Sequence, residues 1–194
     1  MMHKAGKLTN RCKEHYAGKN VSALYAGSQE FYNWIDHNED FYGLPLSYVN
    51  NPHVLAQNDK MISINGCLNV DLYGQVNSES AGFRQISGTG GQLDFVSGAA
   101  QSNGGKAFLC LPSTHTRKDG TVESRIVPHF NMDIITTPRS LTHYIVTEYG
   151  AVNLAGLSTW ERAEALISIA HPDFRDELIA AAEKQHIWLP SNKR

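Results

Sequence analysis

Ser87-Gly88-Thr89-Gly90-Gly91-Gln92-Leu93-Asp94-Phe95 decides how this chain is read. Three glycines in four positions let the main chain turn tightly and come close to a ligand, because no Cβ stands in the way. The residues that follow have the pattern of a helix start. A glycine turn running into a helix gathers free N–H groups and the positive end of the helix dipole, which suits a phosphate, a carboxylate or a developing oxyanion. A tight turn that only packs a helix onto a sheet would use the same residues, so the motif leaves both readings open.

The surrounding pattern is that of an α/β protein. After the turn, Leu93, Val96 and Ala100 recur at helical spacing, and Gly104-Gly105 ends the helix. Next, Ala107-Phe108-Leu109-Cys110-Leu111 is a short unbroken apolar run, expected of a strand covered on both faces. Upstream, 61–65 and 67–73 read as strands. In the second, Leu68, Val70 and Leu72 alternate with Asn69 and Asp71, and Gly74 closes it. Leu44-Pro45-Leu46-Ser47-Tyr48-Val49 is expected as a further short strand, stopped by Asn50-Asn51-Pro52. Ile126-Val127, Ile134-Ile135 and Tyr144-Ile145-Val146 add more.

Helices are expected at 28–38, with Ser28 as N-cap, and from Ser158-Thr159-Trp160-Glu161, a capping box, to about Ala170. Ala163, Leu166, Ile167 and Ala170 form the apolar stripe of the latter. Pro172 suits the first turn of a last helix carried by Leu178, Ala181 and Ala182. Strands interleaved with helices predict a mixed, largely parallel sheet.

Composition narrows the function. Of 194 residues, 41% are hydrophobic and 19% charged, which is the balance of a globular domain with a sizeable core. A formal charge of −2 offers no electrostatic footprint for nucleic acid, and Lys193-Arg194 reads as a solvated tail. No stretch approaches the roughly 20 apolar residues of a membrane span. Cys12, Cys67 and Cys110 are odd in number and far apart, which argues against a disulfide framework and for a reducing cytoplasm. The nine histidines show no metal-ligand spacing, and no metal is expected.

Several ordered blocks carry a resemblance: Tyr48-Val49-Asn50, Met61-Ile62-Ser63-Ile64-Asn65, the run Val70-Asp71-Leu72-Tyr73-Gly74-Gln75-Val76-Asn77-Ser78-Glu79-Ser80, the glycine turn, Ser124-Arg125-Ile126-Val127-Pro128, Val146-Thr147-Glu148-Tyr149-Gly150, Glu161-Arg162-Ala163 and Ile169-Ala170-His171-Pro172-Asp173-Phe174-Arg175. With these the chain resembles the C-terminal part of the acetyl-CoA hydrolase/transferase family, which includes 4-hydroxybutyrate CoA-transferase. The resemblance implies a CoA-transferase-type (NagB/RpiA-like) α/β fold, with 1–27 as an interdomain segment and 28–194 as the C-terminal CoA-transferase domain.

It also implies a chemistry. Family members move coenzyme A, as a substrate, between a short acyl-CoA such as acetyl-CoA and a carboxylate such as acetate or 4-hydroxybutyrate, through a glutamyl-CoA thioester. By resemblance, the turn of Gly88, Gly90 and Gly91 binds the thioester end and offers an N–H to the oxyanion, and Asn50 donates its amide to the same oxygen. Asn51 competes with Asn50 for that assignment. Glu148, after an apolar strand, would help arrange the nucleophile, where a neighbouring carboxylate could raise its pKa. Glu79 suits a structural role in a polar turn, and Asp94 a first-turn position favoured by the dipole. Ser113, Thr114 and Arg125 are expected either to meet CoA phosphates or to brace the loops, and His171 to satisfy a local hydrogen bond.

In the family the nucleophilic glutamate lies upstream of the segment matched by Gly6-Lys7-Leu8-Thr9-Asn10. This chain is therefore expected to be the C-terminal half of such an enzyme, partnered by an N-terminal half, and to expose an apolar surface that favours a homo-oligomer. An acetyl-CoA hydrolase and a non-catalytic CoA-binding or assembly fragment are the alternatives.

Overall fold

The computed structural model describes residues 2–189 and 191; Lys193 and Arg194 lie outside the described residues. β1 (Asn20–Ser22) is followed by α1 (Gln29–Ile35) and β2 (Phe41–Gly43), and β1 pairs with β2 in parallel. Ser28 caps α1 by accepting from the Phe31 N–H at 3.2 Å. Two short helices come next, α2 (Leu46–Val49) and α3 (Pro52–Ala56). The strand expected at 44–49 is thus a helical turn. Pro45, whose fixed φ suits a helix start, precedes α2, and the Asn51 side chain caps α3 by accepting from the His53 N–H.

Then come β3 (Ile62–Gly66), β4 (Asn69–Asp71), β5 (Val76–Asn77) and a small hairpin of β6 (Ser80–Ala81) and β7 (Arg84–Gln85). α4 (Gln92–Gln101) leads into β8 (Lys106–Cys110), a second hairpin of β9 (Thr114–Thr116) and β10 (Val122–Ser124), and β11 (Ile126–Val127). The chain closes with β12 (Tyr144–Thr147), β13 (Gly150–Asn153), α5 (Thr159–Ser168) and α6 (Pro172–Lys184). Ile134 and Ile135, expected as strand, are exposed and belong to none; the bridge forms instead at Thr137, opposite Val76.

The main sheet has the order β13-β12-β8-β3. β3, β8 and β12 are parallel, and β13 returns antiparallel at one edge. This is the mixed, largely parallel α/β sheet that the sequence implies. A smaller sheet, β11-β4-β5, stands beside it. Its β4 is not half-exposed as the alternation suggests. Asp71 is as buried as Val70 and Leu72, because its carboxylate accepts from the N–H groups of Tyr73 and Gln75 and from the Gln75 amide. Burial pushes the Asp71 carboxyl up while these donors pull it back.

One core joins the layers through Val96 and Ala99 of α4, Ala107 and Leu109 of β8, Ile145 of β12, and Leu166, Leu178 and Ala182 of the last helices. The buried face of α4 runs through Gln92, Val96 and Ala99, whereas Leu93 and Ala100 are exposed, so the stripe is rotated from the one expected. β8 is covered on one face only: Ala107 and Leu109 are fully buried, while Phe108 and Cys110 are half-buried. The capping box of α5 is made as expected, with the Glu161 carboxylate accepting from the N–H and hydroxyl of Ser158. No described helix is long and apolar enough to cross a membrane.

Candidate functional site

The carboxyl ends of β3, β8 and β12 lie along one edge of the main sheet, the edge at which open α/β sheets gather ligands. A cleft of about 980 Å³ opens beside the end of β3 and is lined by Asn50, Asn65, Gly88, Thr89, Gly90 and Gly91. The chain reaches it through the glycine turn, with Gly90 at φ +59° and Gly91 as the N-cap of α4.

Gly91 is glycine for a reason that only the folded chain reveals. A Cβ built there would collide with Nδ2 of Asn50. The amide of Asn50 therefore lies against the bare Cα of Gly91, at the mouth of a helix. Asn50 ends α2 as its C-cap, and its side chain makes no hydrogen bond among the described residues. Asn51, by contrast, spends its side-chain oxygen on the cap of α3. The N–H groups of Gly88, Thr89, Gly90 and Gly91 likewise donate to no acceptor among the described residues. The cleft thus collects several uncommitted donors and the positive end of a ten-residue helix.

The turn is held in place by buried polar residues, among them Glu79 in the structural role expected of it and Gln92 and Asn77, to which the sequence gave no role. Gln92, the first residue of α4, accepts from the Ser78 hydroxyl at 2.8 Å and donates to the Thr137 hydroxyl at 2.9 Å. Glu79 is buried. Its carboxylate accepts from the Thr136 hydroxyl at 2.8 Å, and its carbonyl accepts from the N–H groups of Ile86 and Ser87, the residues that lead into the turn. Asn77 accepts from the N–H groups of Glu79 and Ser80. Helical spacing through Leu93, Val96 and Ala100 gave no signal for Gln92, whose burial rests on hydrogen bonds.

Glu148 follows β12 at the same edge of the sheet but does not line the cleft. It is exposed, and its carboxylate accepts from the Ser113 N–H at 2.9 Å and from the Ser113 hydroxyl. The Ser113 hydroxyl, ahead of other contributions, holds the Glu148 carboxyl below the ordinary carboxylate range. Arg125 braces a loop by donating to the Leu68 carbonyl at 2.8 Å. His171 caps α6 by accepting from the Asp173 N–H, and Asp94 stands in the first turn of α4.

At its carboxyl edge this mixed α/β sheet thus sets a glycine turn and an asparagine amide whose donors are uncommitted among the described residues, an arrangement chemically suited to an anion or a polarised carbonyl. Residues 27–182 match the acetyl-CoA hydrolase/transferase C-terminal domain, and the chain belongs to that family. It is similar to the butyryl-CoA:acetate CoA-transferase of Anaerostipes caccae, at 52% identity over 98% of this chain and 43% of the relative. RipA from Yersinia pestis superposes with a TM-score of 0.89 at 48% identity, over 96% of this chain and 42% of that one. For the 4-hydroxybutyrate CoA-transferase of Porphyromonas gingivalis the TM-score is 0.78 and the identity 40%, over 95% of this chain and 42% of that one. The chain therefore spans less than half the length of the relatives it matches.

Proposed function

We propose that this chain is the C-terminal, CoA-binding half of a CoA-transferase that exchanges CoA between a short acyl-CoA, such as acetyl-CoA, and a carboxylate such as acetate or 4-hydroxybutyrate. The reading rests on one observation: the unbonded Asn50 amide lies against Gly91 beside the free N–H groups of the turn. When a carboxylate attacks a thioester, the carbonyl oxygen becomes an oxyanion, and donors already in place stabilise it without reorganisation. Asn50 and the Gly88, Gly90 and Gly91 turn are the donors assigned here.

A glutamate from the N-terminal half of the enzyme supplies the nucleophile. Its carboxylate attacks the acyl-CoA carbonyl, CoA leaves as thiolate, and an acyl-glutamyl anhydride remains. The thiolate then attacks the glutamyl carbonyl of the anhydride and releases the first carboxylate. A second carboxylate reverses the steps. A hydrolase would share the first half and admit water to the intermediate, so the two outcomes differ in how the closed site excludes water. Glu148, whose carboxylate is fixed by Ser113 at the same edge of the sheet, is the residue assigned to help arrange that nucleophile.

The test is a CoA-exchange assay with acetyl-CoA and labelled acetate. The chain alone should be inactive, and the chain co-expressed with the N-terminal part of the Anaerostipes caccae relative should transfer the label into acetyl-CoA. Turnover by the chain alone would overturn the assignment of the nucleophile to the other half.

A further inference from the structure

Two unpaired strand edges, those of β1 and β3, border the same pair of cavities. β1 pairs only with β2, and β3 is the last strand of the main sheet; among the described residues no strand pairs with the other edge of either. The hydrogen bonds fix which groups each edge leaves pointing outward. Lys106 N–H donates to Met61 O and Cys67 N–H donates to the Cys110 carbonyl, so positions 61 and 67 turn toward β8. Alternation along a strand then turns the N–H and C=O of Ile62 and Ile64 outward. On β1, Asn20 N–H donates to Asp40 O and Ser22 O accepts from Leu44 N–H, so Val21 turns its N–H and C=O away from β2.

Residues of both edges line two cavities. A cavity of about 330 Å³ at one end is lined by Val21 together with Met61 and Ile62. The larger cleft at the other end is lined by Val21, Ser22 and Ala23 together with Asn65. β1 and β3 therefore run in the same sense, from the smaller cavity toward the cleft of Asn50 and Gly91. β3 has none of the usual edge protection: Ile62-Ser63-Ile64-Asn65-Gly66 carries no charge and no proline, and Ile64 is 71% exposed.

We infer that the groove between β1 and β3 receives one extended, apolar strand, parallel to both, from the part of the transferase that lies outside this chain. Such a strand joins β2-β1 to β3-β8-β12-β13 as one continuous sheet, by the main-chain pairing used in strand addition. A parallel strand in that slot ends at the cleft, so the residue that follows it is delivered to Asn50 and the glycine turn. The donor's identity rests on the transferase reading above, and the relatives, more than twice as long as the matched part, supply enough chain for it. The slot itself rests on the two edges alone.

Hydrogen–deuterium exchange tests the slot. The chain is measured alone and co-expressed with the part of the Anaerostipes caccae enzyme outside the match. The amides of Val21, Ile62 and Ile64 should exchange at least about tenfold more slowly in the complex. Ile64→Pro removes an outward N–H at an edge position that tolerates proline, and should weaken capture by at least about tenfold. If that variant fails to fold, the wild-type exchange pattern still decides.

Three results overturn the inference: no complex, a complex with these three amides unprotected, or protection that rises with concentration of the chain alone, which places a second copy in the groove. Protection without CoA exchange leaves the slot standing and removes the transferase reading. CoA exchange without protection does the reverse.

Discussion

Asn50 and Gly91 come from segments some forty residues apart in the chain, yet the amide of one lies against the Cα of the other with no room for a side chain between them. Gly91 has φ −96°, a conformation open to any residue, so its need for glycine is one of space and not of backbone strain.

Gly91→Ala and Asn50→Ala should each lower kcat in the completed enzyme by about 100-fold, the usual cost of losing one oxyanion donor. The double variant should be little worse than either single one, because both changes remove the same arrangement. Full additivity of the two losses would separate the residues functionally.

Gln92→Leu should cost about 1–3 kcal/mol of stability, since it leaves the hydroxyls of Ser78 and Thr137 without their shared partner in a buried place. Urea unfolding measures this directly.

Gly98 lets α4 lie close on α3. An added Cβ would meet Leu55 Cβ at 2.5 Å and the Pro52 carbonyl oxygen at 3.2 Å. Gly98→Ala, although it favours helix locally, should lower stability by about 1–3 kcal/mol through overpacking. Thermal melting of the variant above wild type would show that α3 moves aside freely.

Thiol chemistry should sort the cysteines. Burial, ahead of the neighbouring Cys110, pushes the Cys67 thiol up to about 12, whereas Cys12 is exposed. Because the thiolate is the reactive form, iodoacetamide at neutral pH should label Cys12 and spare Cys67 in the folded chain. Peptide mass spectrometry reads the order.

Glu148 links stability to acid. Its pKa is lower in the folded chain than its ordinary value of 4.5, chiefly through the Ser113 hydroxyl. The stabilisation is therefore complete above about 4.5 and is lost as pH falls through the lowered folded value. Glu148→Gln should unfold more easily than wild type at pH 7, and the gap should narrow in denaturant titrations below pH 4. A gap that is constant with pH would assign the effect to geometry and not to charge.

Much of the fold was legible because it is written in local chemistry. Ser28, the Ser158–Glu161 box and Pro172 mark helix starts by the groups they offer to free N–H donors. The apolar runs at 107–111 and 144–146 became β8 and β12 of the parallel sheet. The misread places share a cause. Leu44 to Val49 contains a proline that suits a strand edge or a first helical turn equally, and the next two asparagines settled the choice by ending one helix and capping another. Ile134 and Ile135 have strand propensity but find no partner strand. The face of α4 was rotated because Gln92 is buried by hydrogen bonds that hydrophobic spacing does not count.

The sequence by itself determined the helix caps, the glycine turn and the membership of a CoA-handling family, since each depends on residue types at short separations. Only the tertiary structure decided that Asn50, and not Asn51, lines the cleft, that Gly91 is glycine because the Asn50 amide lies against it, and that β1 and β3 each keep one edge unpaired among the described residues. Those three facts are contacts, or missing contacts, between segments distant in the chain, and local propensity carries no record of which distant group arrives.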